Sequence, residues 1–184
     1  MPGAAGADGT NGIDGTNGTN GTNGTNGTNG MNGAAGPAGT TGQDVFEVLG
    51  TGQLVVSSSV TQYTIIPGLT QTLTIPAGAK VHVSTSGGLQ CTAAGGAYSA
   101  VDIALVVDGD LGTAAQRRVL AANTAAVGQM IANWSFARTW TRSPGSHTFD
   151  VRAISVDPSA ANANVSSASA EQLRGVLTVM VIKQ

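Results

Sequence analysis

The sequence predicts an all-β protein in two parts, a triple-helical rod over residues 1–42 and a two-sheet β head over residues 43–184. Three observations carry this. Glycine recurs at every third residue from Gly3 to Gly42, fourteen times without a miss. The period then stops, and short segments of alternating apolar and polar residues take over, parted by Pro-Gly and Asp-Gly steps. The last segment, Leu173–Ile182, is apolar on both faces.

The glycine period comes first. Three polyproline-II-like chains wind around an axis so crowded that only a hydrogen atom fits at each third position. The axis residues are then Gly3, Gly6, Gly9, Gly12, Gly15, Gly18, Gly21, Gly24, Gly27, Gly30, Gly33, Gly36, Gly39 and Gly42. At about 3.1 Å per residue the rod would reach roughly 120 Å. Proline occurs here only at Pro2 and Pro37, and the middle is a run of Gly-Thr-Asn triplets, so each chain loses more entropy on ordering than a proline-rich one. The alternative is a flexible Gly-rich coil, since Asn-Gly steps also form turns. Against it, the residues between the glycines vary (Ala4-Ala5, Ile13-Asp14, Pro37-Ala38) while the glycines do not. A rod this poor in proline is expected to depend on the head to nucleate it. Four Asn-Gly-Thr sequons, at Asn17, Asn20, Asn23 and Asn26, arise from the repeat and offer sugar attachment points.

In the head, the strand-like segments are Gly52–Ser58, Gln62–Ile66, Thr70–Ile75, Lys80–Cys91, Val101–Val107, Arg117–Ala122, Ile131–Arg142, Ser146–Val156 and Leu173–Ile182. Their close spacing predicts a sandwich or barrel. The alanine-rich stretch 112–129 is ambiguous and has room for a helical turn. Val101, Ile103, Leu105 and Val107 share one face, as do Trp134, Phe136, Arg138 and Trp140, and His147, Phe149, Val151 and Ala153. The doubly apolar last strand implies the core on one side and a neighbouring subunit on the other. The expected trimer interface is therefore Val176, Val179, Met180 and Ile182, with Trp134, Phe136 and Trp140 shared between interface and core.

Composition excludes several functions. The net charge is −2, 10% of residues are charged, and the only adjacent basic pair is Arg117-Arg118, so no nucleic-acid partner is expected. One cysteine, Cys91, rules out an intrachain disulfide and a multi-cysteine zinc site and reads as a small core residue. No apolar run approaches the roughly 18 residues of a membrane span. The opening Met-Pro-Gly-Ala-Ala-Gly does not read as a secretory signal, which leaves a removed leader, a longer parent chain or another export route open.

No catalytic, cofactor or metal site is expected. His82 and His147 have no carboxylate or nucleophile at motif spacing, and no nucleophile elbow, P-loop or Rossmann fingerprint occurs. Asp108-Gly109-Asp110 supplies oxygens of the kind calcium takes, but Asp-Gly is first a hairpin turn. Trp134, Phe136 and Trp140 would suit glycan stacking, yet they are most of the aromatic material available for packing. Arg138 and Arg142 on their face are expected to pair with acids or to cover rings.

A Gly-X-Y stalk followed by a β head of this length resembles the collagen-like proteins with complement-type or tumour-necrosis-factor-like jelly-roll heads. Leu73–Val83, Val101–Gly109 and Pro144–Val151 are similar to the turn-and-strand rhythm of their bacterial and phage members, including collagen-like spore-surface proteins and tail fibres. The scarcity of proline departs from the spore-surface stalks. The resemblance implies a trimeric jelly-roll head and a non-enzymatic structural role outside the cell or on a cell, spore or virion surface. A receptor-binding or adhesin head, with a carbohydrate or protein ligand or a surface anchor as partner, is the alternative. An enzyme such as a glycan hydrolase lacks any paired-carboxylate context.

Overall fold

β-branched and alternating residues over 42–183 give ten strands and, among the described residues, no helix. The computed structural model of the chain describes residues 3, 6, 9–22 and 42–183. The chain divides into two compact units, Met1–Gly36 and Pro37–Gln184. In the first unit, residues 9–22 belong to no helix or strand and every one is exposed.

The second unit contains β1 (Gly42–Leu49), β2 (Leu54–Val56), β3 (Thr64–Ile75), β4 (Lys80–Cys91), β5 (Tyr98–Val107), β6 (Asp110–Ala122), β7 (Ile131–Thr141), β8 (Gly145–Ser155), β9 (Ala163–Val165) and β10 (Val176–Lys183). One sheet runs β3-β8-β5-β6. The other runs β1-β10-β4-β9-β2, with β7 on the free edge of β4. β10 and β9 share the opposite edge of β4, β10 along Lys80–Ser86 and β9 along Leu89–Cys91. Every pairing is antiparallel.

The two sheets bury their facing rows against each other. Val81 and Val83 of β4 and Leu177, Val179 and Val181 of β10 meet Ile103 and Leu105 of β5 and Phe149 and Val151 of β8. Each such side chain contributes about 1.5–3 kcal/mol on burial. Cys91 is a free thiol in this core, as its residue type suggests.

Several expectations are corrected. Gln62–Ile66 and Thr70–Ile75 form one strand, β3, with a register shift between Ile65 and Thr70 where a turn was expected. Gly68 takes φ 85°, and a Cβ there would lie 2.5 Å from the Leu49 carbonyl oxygen, so Pro67-Gly68 makes a bulge that closes against β1. The alanine-rich stretch holds no helical turn. β6 extends from Asp110 to Ala122, because the two-residue turn Asp108-Gly109, with both φ values positive (54° and 75°), folds it straight back onto β5. β1 and β9, absent from the expected list, pair with β10 and with β2 and β4. Leu173 precedes the last strand, in a turn closed by its N–H donating to the Ala170 carbonyl.

Candidate self-association surface

Strand β10 has two faces, and they have different fates. Leu177, Val179 and Val181 are buried in the core, whereas Val176, Met180 and Ile182 lie half-buried on the outer face of the sheet. Register extends that face. Val45 of β1 stands opposite Met180 and Leu49 opposite Val176, with Val45 56% and Leu49 40% exposed. On the other flank, His82 of β4 stands opposite Met180, and Thr139 of β7 opposite His82. Across β1 and β10 the outer face thus sets Val45, Leu49, Val176, Met180 and Ile182 around the polar Gln43, Glu47 and Thr178, and across β4 and β7 it is mainly polar. A shallow recess lined by Ser84, Ser86, Ser135, Val176 and Thr178, with Thr85 beneath, marks the seam.

Of the interface residues expected from sequence, the structure brings Val176, Met180 and Ile182 to this face. It places Val179, fully buried, in the core behind it, and Trp134, Phe136 and Trp140 there as well, at 3%, 8% and 7% exposure. Those four are corrected from interface to core. Trp134 fits because Gly87 opposite it has no side chain, and its Nε1–H donates to Thr85 Oγ1 at 3.2 Å. The same burial removes the three rings as a glycan-stacking surface. Arg138 lies over the Trp140 ring at 5.5 Å and Arg117 over Phe136 at 5.7 Å, covering the edge between β6 and β7. Arg142 donates to Thr113 Oγ1 at 3.4 Å and pairs with no acid among the described residues.

The expected axis glycines divide three ways. Gly3, Gly6, Gly9, Gly12, Gly15, Gly18 and Gly21 are exposed, and a Cβ at any of them would meet nothing within 4 Å. Gly24, Gly27, Gly30, Gly33, Gly36 and Gly39 lie outside the described residues. Gly42 opens β1 opposite Lys183.

Sequence reasoning missed one charged cluster. His147 Nδ1 bonds Asp108 Oδ2 at 2.7 Å and its Nε2 donates to the Ser143 carbonyl at 2.9 Å. Both partners accept, so both ring nitrogens are best protonated, and these hydrogen bonds raise the pKa of His147 above its ordinary 6.5. Burial alone would raise Asp108, but the His147 bond and the Thr148 N–H outweigh it and leave the carboxyl below its usual range. The partners are 39 residues apart, beyond any local motif. Asp110 accepts from the Gly112 N–H and the Thr113 hydroxyl. All four carboxylate oxygens of the Asp108-Gly109-Asp110 segment are therefore engaged by protein donors. His82 bonds Thr139 Oγ1 through Nδ1 at 2.9 Å, on the outer face.

No curated protein matches the chain. Residues 1–46 match the family model of the collagen triple helix repeat (20 copies), which covers the glycine period and the first residues of β1 and no more of the head.

Proposed function

We propose that this chain is a non-enzymatic, homotrimeric structural protein in which a jelly-roll head holds three Gly-X-Y stalks in register at a cell or particle surface. The carrying observation is the unbroken glycine period, which coincides with the collagen-repeat match over 1–46. Such a period has a steric purpose only where three chains share an axis.

The head supports the reading in two ways. Its strand orders, β3-β8-β5-β6 facing β1-β10-β4 with β7 beyond, interleave early and late strands as a jelly roll does. Its outer face across β1 and β10 carries Val45, Leu49, Val176, Met180 and Ile182, interrupted by Glu47 and Thr178, and no described residue covers it. A closed ring of three copies uses heterologous contacts, so each copy offers two different patches. The β1–β10 face is one. Exposed Leu120, Val127, Met130 and Ile131, at and beside the β6–β7 connection, supply material for the second. Multi-angle light scattering on the full chain tests this: a mass of three chains is expected, and a monomer ends the proposal.

A second reading, a head that also binds an acidic ligand, is favoured by Arg117, Arg138 and Arg142, which have no salt-bridge partner among the described residues. An array of sulfated and uronic-acid glycans probes it, and a silent array leaves the structural role alone.

A further inference from the structure

Asparagine is followed directly by glycine seven times, always between Asn11 and Gly33. The head asparagines, Asn123, Asn133, Asn162 and Asn164, precede Thr, Trp, Ala and Val instead. This segregation has a chemical consequence. A glycine carries no Cβ to shield its backbone nitrogen, and its neighbour's backbone turns freely. Asn11, Asn17 and Asn20 are exposed, lie in no helix or strand, and have open space around the glycine that follows each.

We propose that the Asn-Gly steps of the stalk are sites of spontaneous deamidation, and that winding of the stalk suppresses the reaction. The glycine backbone nitrogen attacks the asparagine side-chain carbon Cγ. A new C–N bond forms, the bond from Cγ to the amide nitrogen breaks, and ammonia leaves with the glycine N–H proton. The five-membered imide is then opened by one water molecule. Opening at Cγ yields aspartate, and opening at the main-chain carbonyl yields isoaspartate, in which the chain runs through Cβ. Overall, one amide and one water give one acid and one ammonia, with no oxidant or enzyme required.

Suppression by winding rests on the triple-helix reading. A wound chain holds each ψ near the polyproline-II value, which withholds the rotation that brings Cγ onto the next nitrogen. An unwound chain has no such restraint. Each event adds a negative charge to a stalk whose only charged side chains are Asp8 and Asp14. Isoaspartate also adds a main-chain carbon, so glycines beyond it fall out of the three-residue register. Chains that stay unassembled therefore lose the ability to wind, while assembled stalks keep it. The head holds a contrasting acid-glycine step. At Asp108-Gly109 the carboxylate is tied by His147 and the Thr148 N–H, so it is not free to cyclise.

The test ages the full chain at mildly alkaline pH, below and above the stalk transition seen by circular dichroism, and maps conversion by peptide mass spectrometry. Above the transition, the Asn-Gly steps are expected to convert many-fold faster than Asn133 and Asn164, which serve as internal clocks. Below it, they should slow several-fold. Equal conversion of stalk and head asparagines above the transition overturns the proposal, as does an unchanged stalk rate across it. If no stalk transition exists, the triple-helix reading fails by itself; rapid conversion at every temperature then still supports the sites, and slow conversion overturns them. Asn20→Gln lengthens the side chain and should abolish conversion at that step, whereas persistence there would count against the imide route.

Discussion

Glycines of the repeat and glycines of the head answer to different neighbours. A Cβ at Gly87 would sit 2.3 Å from Trp134 Cζ2, and one at Gly175 would sit 2.7 Å from Leu69 Cδ1. At Gly12, Gly15, Gly18 and Gly21 it would meet nothing within 4 Å. The head creates the crowding that requires its glycines, and the described glycines of the repeat meet none within one chain. A period held fourteen times, with no intrachain crowding at its described glycines, points to crowding by other chains. On the proposed reading, the fold of the head is a property of one chain, and the order of the stalk is a property of the assembly.

The strongest way to break that comparison is on β10, where adjacent residues face opposite ways. Val179→Asp puts an unpaired carboxylate in the core, at a cost of several kcal/mol, and should abolish the cooperative melt of the head. Met180→Asp should keep the head folded by circular dichroism while light scattering reports a smaller particle. A Met180→Asp variant that stays trimeric would show that this face is not the contact. Next in size, Gly87→Ala should destabilise the head by about 1–3 kcal/mol in denaturant titration, because the Trp134 ring has no room to yield. An unchanged midpoint would mean that the ring moves freely. Smaller again, Gly21→Ala should lower the melting temperature of the stalk and leave that of the head alone. If neither transition moves, the repeat is a coil.

The smallest expected effect concerns pH and only the head. His147, raised above 6.5, contributes stability that is complete below that value and is lost as pH rises through its folded pKa. Asp108, lowered from 3.8, contributes stability present above that value and lost as pH falls through its folded pKa. The pair therefore supports the head most between about pH 4 and 6.5. Asp108 is 42% exposed, so solvent screening keeps the effect small. His147→Gln should flatten the alkaline side of a melting-temperature profile, and an unaltered profile would assign the shift to other groups.

Much of the head was legible because alternation is local. Lys80–Cys91 appears in the structure with the bounds read from sequence, and the central row Val101, Ile103, Leu105 and Val107 is buried as its spacing implies. The doubly apolar last strand was legible too, and its outer half, Val176, Met180 and Ile182, does face outward. What failed was any choice that needed the partner strand. Trp134, Phe136 and Trp140 look the same in sequence whether they fill a core or a contact. Only the pairing of β7 with β4, with Gly87 opening space for Trp134, turns them inward. Pro67-Gly68 carries the signature of a turn and is a bulge, because β8 pairs on both sides of it. β1 was missed because its residues offer no clean alternation, and its strand state is set by hydrogen bonds to β10, more than a hundred residues away.

By itself, the sequence determined the three-residue glycine register, the β character of the chain beyond Gly42 and the concentration of every Asn-Gly step in the repeat. These are patterns with periods of two or three residues, and backbone sterics reads such periods directly. The tertiary structure alone decided which apolar rows face inward, that His147 meets Asp108, and that Val45 and Leu49 of β1 come beside Met180 and Val176 of β10 on the outer face. Those outcomes depend on register between strands far apart in the chain, and a slip of one residue would turn every row over.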